Sequence, residues 1–221
     1  MFIKLWNNNI IQYGIWETIY MTLISTGISY LFGLPLGVLL SVTSSDGIHP
    51  MRVLNGILGV IVNIFRSIPF IILMVAMLPV AKAVVGTSLG NRAMIVMLII
   101  AATPYVARMV ESSIHEVGKG VVEAAQAMGS STFQIIMKVL IPEAKPSLIN
   151  GAVISMVTIL GYSAMAGTIG GGGLGQIAIT YGYQRSNDDI IWICVLLTIV
   201  IVQIIQVIGT AIQNRTDKRI V

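Results

Sequence analysis

Glu123-Ala124-Ala125, Gly129 after three more residues, and Val139-Leu140-Ile141-Pro142 after nine more stand in the one long charged stretch of an otherwise apolar chain. The chemistry this spacing offers is docking rather than catalysis. Glu123 presents a charge to a cationic or hydrogen-bonding partner, Ala124 and Ala125 permit close approach, and Gly129 makes a bend without a Cβ penalty. Such a knob suits a groove on another protein. The competing reading, an amphipathic hairpin lying flat on lipid, would carry more lysine on its polar face.

Other residue types that could do chemistry are sparse. Arg66 is the only charge inside its apolar run, and an intramembrane arginine costs at least about 2.5 kcal/mol on insertion scales. Either it faces an interior pathway, bonding to carbonyls freed where Pro69 interrupts the helix, or it ends one helix and Pro69 starts the next. Gly170, Gly172 and Gly175 satisfy G-x-G-x-x-G, but without the strand, helix and following acid that give that pattern meaning. No phosphate-binding G-x-x-x-x-G-K-[ST] occurs. His49 and His115 have no ligand-spaced companions, and no metal site or catalytic constellation stands out. Cys194, the single cysteine, reads as a small packed hydrophobe.

The elements that must position the loop follow from its periodicity. Val121, Val122, Ala125 and Met128 recur at helical spacing, giving a short helix with one apolar side. Gly129 is its C-terminal stop. Ser131-Thr132-Phe133-Gln134 has the form of a capping box opening a second helix. Phe133, Ile136, Leu140 and Met137 are expected to form that helix's apolar stripe, and Pro142 to end it.

The rest of the chain is built for lipid. With 56% hydrophobic and 10% charged residues and a mean hydropathy of +0.90, it lies far from the roughly 25% charged content of soluble domains. The gaps between charges accommodate five spans of about 20 residues or more, near 15–41, 53–79, 89–114, 146–167 and 190–213. They form one transmembrane domain, 1–221, with the loop near 116–142 between spans three and four. The N-terminal segment is short and polar, so span one is expected to serve as its own insertion signal. Arg92 and Arg108 fall near the ends of span three, where they can reach toward headgroups.

Orientation follows from the positive charges. Arg52, Arg108, Lys119, Lys138, Lys145, Arg215, Lys218 and Arg219 fall on one side, eight against Lys4, Lys82, Arg92 and Arg185 on the other. The richer side is cytoplasmic, so the N-terminus faces out and the C-terminus in. The net charge of +4 follows from that bias and needs no nucleic acid. In span four, Gly151, Ser155, Gly161, Ala164 and Gly167 form a small-residue row suited to close helix contact, the expected dimer seam. Tyr162, Ser163 and Met165 are candidates for lining a route, and Pro35, Pro69, Pro79 and Pro104 for kinks. Midspan carboxylates are lacking and no repeat is evident, against an ion-coupled carrier.

The Glu-Ala-Ala loop resembles that of bacterial ATP-binding-cassette importer permeases, with Val139 and Ile141 in place of the usual Ile and Leu. Two further stretches, Asn63-Ile64-Phe65-Arg66-Ser67-Ile68-Pro69-Phe70-Ile71-Ile72-Leu73 and Gly161-Tyr162-Ser163-Ala164-Met165-Ala166-Gly167 running into Gly170–Gln176, are similar to the permease of the methionine importers. The resemblance runs from about Trp16 to Arg215. It implies the type I permease fold, all-α and membrane-integral, as a homodimer of five-span subunits in the bacterial inner membrane. It further implies two cytoplasmic ATPase subunits docked on the loops through Glu123, Ala124, Ala125, Gly129 and Pro142, and an extracytoplasmic receptor lipoprotein. This chain would hold no cofactor; ATP and magnesium would be used by the partner ATPase. Methionine is the implied substrate, L-methionine and in some members of the family D-methionine or derivatives as well.

Overall fold

The computed structural model describes residues 2–217, with side chains from Leu5. Lys218 and Arg219, used in the charge tally, lie outside the described residues, as does the side chain of Lys4. The described chain is helical: α1 (Phe2–Asn7), α2 (Ile10–Thr43), α3 (Arg52–Ser67), α4 (Phe70–Ala76), α5 (Leu78–Val85), α6 (Asn91–His115), α7 (Lys119–Ala127), α8 (Thr132–Ile135), α9 (Ile141–Ala166), α10 (Leu174–Ile177) and α11 (Asp188–Thr216).

Four continuous helical stretches among the described residues are long and apolar enough to cross a membrane: Ile10–Thr43, Asn91–His115, Thr132–Ile169 and Asp188–Thr216. The pair α3 and α4 supplies a fifth if taken as one span. The run expected as one helix over 53–79 is broken, and the chain bends by 103° between α3 and α4. The reason is local. A residue before proline is pushed out of the helical region, so Ile68 interrupts the helix and Pro69 becomes the cap of α4 (φ −55°, ψ 134°). Pro79 then falls in the first turn of α5, where its missing N–H costs nothing.

Two compact units emerge. The first gathers residues up to Ile28, Ile68–Ala102 and Ser155–Val207. Its core is rich in methionine, with Met21, Met74, Met94 and Met97 buried around Phe70, Leu98 and Ile159. A second cluster joins Ile11, Leu160, Leu174, Ile177, Ile190 and Cys194. The second unit holds Ser29–Ser67, Thr103–Ile154 and the chain from Ile208. There Val38, Val106, Val110, Ile114, Ala125, Ile135 and Leu140 form the main cluster.

The exposed surface inverts the pattern of a water-soluble protein. Helix α11 is the most apolar of the four candidate spans and the least buried, exposing Trp192, Leu196, Ile204, Val207 and Ile208. Contiguous apolar surface on that scale has no place in water. A helix satisfies its backbone groups internally, so it can present such a face to hydrocarbon.

Candidate functional site

The loop geometry is assembled from short-range bonds in the second unit. Gly118 is extended and precedes α7. At the other end Gly129 adopts φ +78°, its N–H donates to the Gln126 carbonyl at 2.9 Å, and the Ser130 N–H donates to the Ala125 carbonyl at 3.1 Å. These are the two bonds of a Schellman motif, which satisfies the last carbonyls of a helix. One residue on, the Ser131 N–H donates to Gln134 Oε1 at 2.8 Å and the Gln134 N–H donates to Ser131 Oγ at 3.4 Å, completing the expected capping box.

Two expectations for this region are corrected. Pro142 does not end the second helix: α8 passes through a π-helical turn at Ile136–Leu140 into α9, giving one helical stretch from Thr132 to Ile169. In a straight α-helix the Pro142 ring would strike the carbonyl four residues earlier. Here the Ile141 N–H reaches back five residues to the Ile136 carbonyl, and the wider turn accommodates the ring. The apolar faces also differ from the expected stripes. Ala125, Ile135 and Leu140 are buried and Val122 packs beside them, whereas Val121, Met128, Phe133 and Met137 point outward. The π-turn shifts the register of the second helix, so its sequence stripe does not run straight.

The result is a solvent-exposed elbow. Glu123 and Ala124 are exposed beside Val121 and Met128, and Ala125 anchors α7 to the unit. A cleft of about 220 Å³ lies behind it, bordered by Ser41, Asp46, His115, Lys119, Glu123 and Gln126. Lys119 and Asp46 approach to 3.9 Å across it, both largely exposed, a pairing of little energetic weight.

Arg108 departs from its expected reach toward headgroups. Its Nη1 donates to Glu111 Oε2 at 2.7 Å and its Nη2 to Asn63 Oδ1 at 3.1 Å, so it joins α6 to α3. The reason is proximity: Glu111 lies one turn away on the same face, and an amide carbonyl waits on the neighbouring helix. Arg66 lies exposed in the last turn of α3, where a cation complements the helix dipole.

In the first unit, Pro69 starts α4, so that Phe70 stacks on Tyr162 with centroids 4.3 Å apart and planes 5° from parallel. Met165 is exposed and Tyr162 half-buried. Ser163 differs from the other candidates: it is buried, and its Oγ donates to the Leu160 carbonyl at 2.7 Å, so it braces α9 rather than lining a wall. The small-residue row is likewise divided. A side chain at Gly175 would collide with the Ala164 backbone, and one at Gly167 with Gly175 and Gln176, whereas Gly161 faces open space. Ala164 and Gly167 therefore serve contact within the subunit, which a spacing of small residues does not distinguish from contact between subunits.

The glycine run itself carries a connected polar group in the first unit. Glu17, Thr18 and Asn91 bond to the backbone of Gly172, Gly173 and Leu174, a network that sequence reasoning missed.

Comparison with known proteins agrees with this architecture. Residues 33–221 match the family described as binding-protein-dependent transport system inner membrane component. The probable D-methionine transport system permease protein MetI of Vibrio cholerae is 49% identical over 96% of this chain and 95% of its own length. The methionine import system permease protein MetP of Bacillus subtilis is 44% identical over 98% and 95%. Among solved structures, an inward-facing conformation of the MetNI methionine ABC transporter superposes with a TM-score of 0.93 at 45% identity, covering 95% of this chain and 97% of that one. An exposed elbow on an all-helical, lipid-facing subunit and a family match over most of the chain lead to one conclusion: the protein belongs to the binding-protein-dependent transport system inner membrane components, a multi-pass transport subunit and not an enzyme.

Proposed function

We propose that this chain is the permease subunit of an ATP-driven methionine importer, working as a homodimer with two cytoplasmic ATPase subunits and an extracytoplasmic receptor lipoprotein. The observation that carries the reading is the continuous helical stretch from Thr132 to Ile169. It begins at the capped elbow, and its far end bears Tyr162 and Met165. An ATPase surface docked on Glu123, Ala124 and the exposed Met128 and Phe133 pushes on the start of this helical rod. A helix rises about 1.5 Å per residue, so a push at the elbow acts on the same helical stretch that bears Tyr162 and Met165.

In this reading Ala125 seats the knob, the Gly129 bend sets its angle, and Pro142 with the π-turn directs the rod. Pro69 and Phe70 hold Tyr162 beside the route, and Met165 is a flexible apolar gate whose thioether tolerates a thioether substrate. Arg66 marks the end of α3 near the same break. Nucleotide and magnesium act on the ATPase subunits; this chain receives only the motion. The N-terminus lies outside and the C-terminus inside, from the positive-charge excess.

The deciding experiment is uptake by the reconstituted complex with L-methionine, D-methionine and other amino acids as competitors. Accumulation that requires ATP, survives ionophores and is blocked by methionine is the expected result. Uptake blocked by a different amino acid reassigns the substrate, and uptake abolished by ionophores alone overturns the ATP-driven mechanism.

A further inference from the structure

Position 17 sits where hydrogen-bond direction leaves only one choice of side chain. The Gly172 N–H donates to Asn91 Oδ1 at 2.8 Å. That fixes the Asn91 amide so that its Nδ2 donates to Glu17 Oε1, also at 2.8 Å. The second carboxylate oxygen, Oε2, accepts from the Gly173 N–H at 2.8 Å. Two donors therefore converge on position 17, which must offer two acceptors and no donor, and a carboxylate alone among side chains of this length does so. Thr18 extends the set: its Oγ1 donates to the Gly14 carbonyl at 2.8 Å and accepts from the Leu174 N–H at 2.9 Å. The Gly90 N–H donates to the Gly170 carbonyl at 2.9 Å.

The bonds tie α2 and the start of α6 to the turn that follows α9. Gly170 and Gly173 have φ +93° and +92°, a region where other residues are strained, so the turn is shaped for this seat. Beyond it, Gly175 lies against the Ala164 backbone and Gly167 against Gln176. The position of Leu174 thus sets the position of the last turns of α9.

We infer that Glu17 and Asn91 are positioning residues that latch the Gly170–Gly173 turn and make the Glu17 segment of α2, the start of α6 and the Tyr162–Met165 end of α9 move as one block. The latch sets transport rate, not substrate recognition. Its transport readout rests on the importer reading above; its structural readout does not.

The test uses the full complex in nanodiscs with Glu17→Gln, Asn91→Asp and the double variant. Glu17→Gln sets an amide donor against the Asn91 amide, and Asn91→Asp sets two carboxylates face to face. The double variant rebuilds every bond: the new carboxylate at 91 accepts from Gly172 and from the new amide at 17, whose oxygen accepts from Gly173. Each single variant should speed deuterium exchange in 171–175 and lower the maximal uptake rate by roughly tenfold, the size of one charge-assisted hydrogen bond lost in the moving state, with half-saturation unchanged. The double variant should restore both. A double variant no better than the singles, single variants with wild-type exchange and rate, or single variants that no longer assemble would each overturn the latch. Absent ATP-driven methionine uptake by the wild type, with exchange still following the swap, would instead fault the importer reading.

Discussion

Two glycine turns in this subunit use the same backbone device to opposite ends. Gly129 and Gly170 both adopt a positive φ after a helix. At Gly129 the bonds that hold the turn come from within six residues of the chain, and a Cβ there would meet nothing within 4 Å. At Gly170–Gly173 one local bond, from the Gly171 N–H to the Ala166 carbonyl, is joined by bonds from Gly172, Gly173 and the adjoining Leu174 to Asn91, Glu17 and Thr18, 81 to 156 residues away in sequence, and Gly172 and Gly173 are crowded by those side chains. A turn made of local bonds keeps its outer surface free, so it can present a knob to another protein. A turn held by distant side chains is itself an internal joint.

That difference orders the expected effects of substitution. Gly175→Val, beside the crowded turn, drives a side chain into the Ala164 backbone, where nothing flexible yields. Overpacking of this kind costs about 1–3 kcal/mol or more. The subunit should largely disappear from the membrane fraction, and recovery at wild-type levels with wild-type melting would show that the α9 contact is not a joint.

At the open turn a side chain costs only its backbone strain. Gly129→Val should weaken the elbow by about 1–2 kcal/mol. Asparagine tolerates the left-handed region, so Gly129→Asn should retain most function. The measurement is ATPase capture by the purified permease together with coupled uptake. Equal behaviour of the two variants would mean that the left-handed bend does not set docking.

The smallest effect belongs to the capping box. Ser131→Ala removes the acceptor for the Gln134 N–H, at a cost of about 1 kcal/mol. Deuterium exchange should rise at the first turn of α8 while the Gly170–Gly173 region keeps its wild-type protection. A rise in both regions would erase the distinction between a locally made and a distantly made turn.

How much of this was legible in sequence tracks the same distinction. The Gly129 stop and the Ser131 to Gln134 box were readable because their partners lie within one helical turn, where sequence spacing is spatial distance. Pro142 reads as a terminator for a related reason: proline forbids a straight α-helix, but whether the chain stops or widens into a π-turn depends on what packs around Ile135 and Leu140. Along one helix Arg108 reads as a headgroup residue, because neither Asn63 nor the facing of α3 is visible there.

Composition and charge spacing alone determined that this is an all-helical membrane subunit, because hydrocarbon demands long uncharged helices whatever their packing. Local pattern determined the capped elbow between two helices. Tertiary structure decided the rest: that the elbow continues unbroken into α9, that Ser163 braces while Met165 is exposed, and that Glu17 answers Gly173 and Asn91. Those outcomes depend on which helix faces enclose one another, and a linear pattern of apolar residues has no term for the identity of the neighbour.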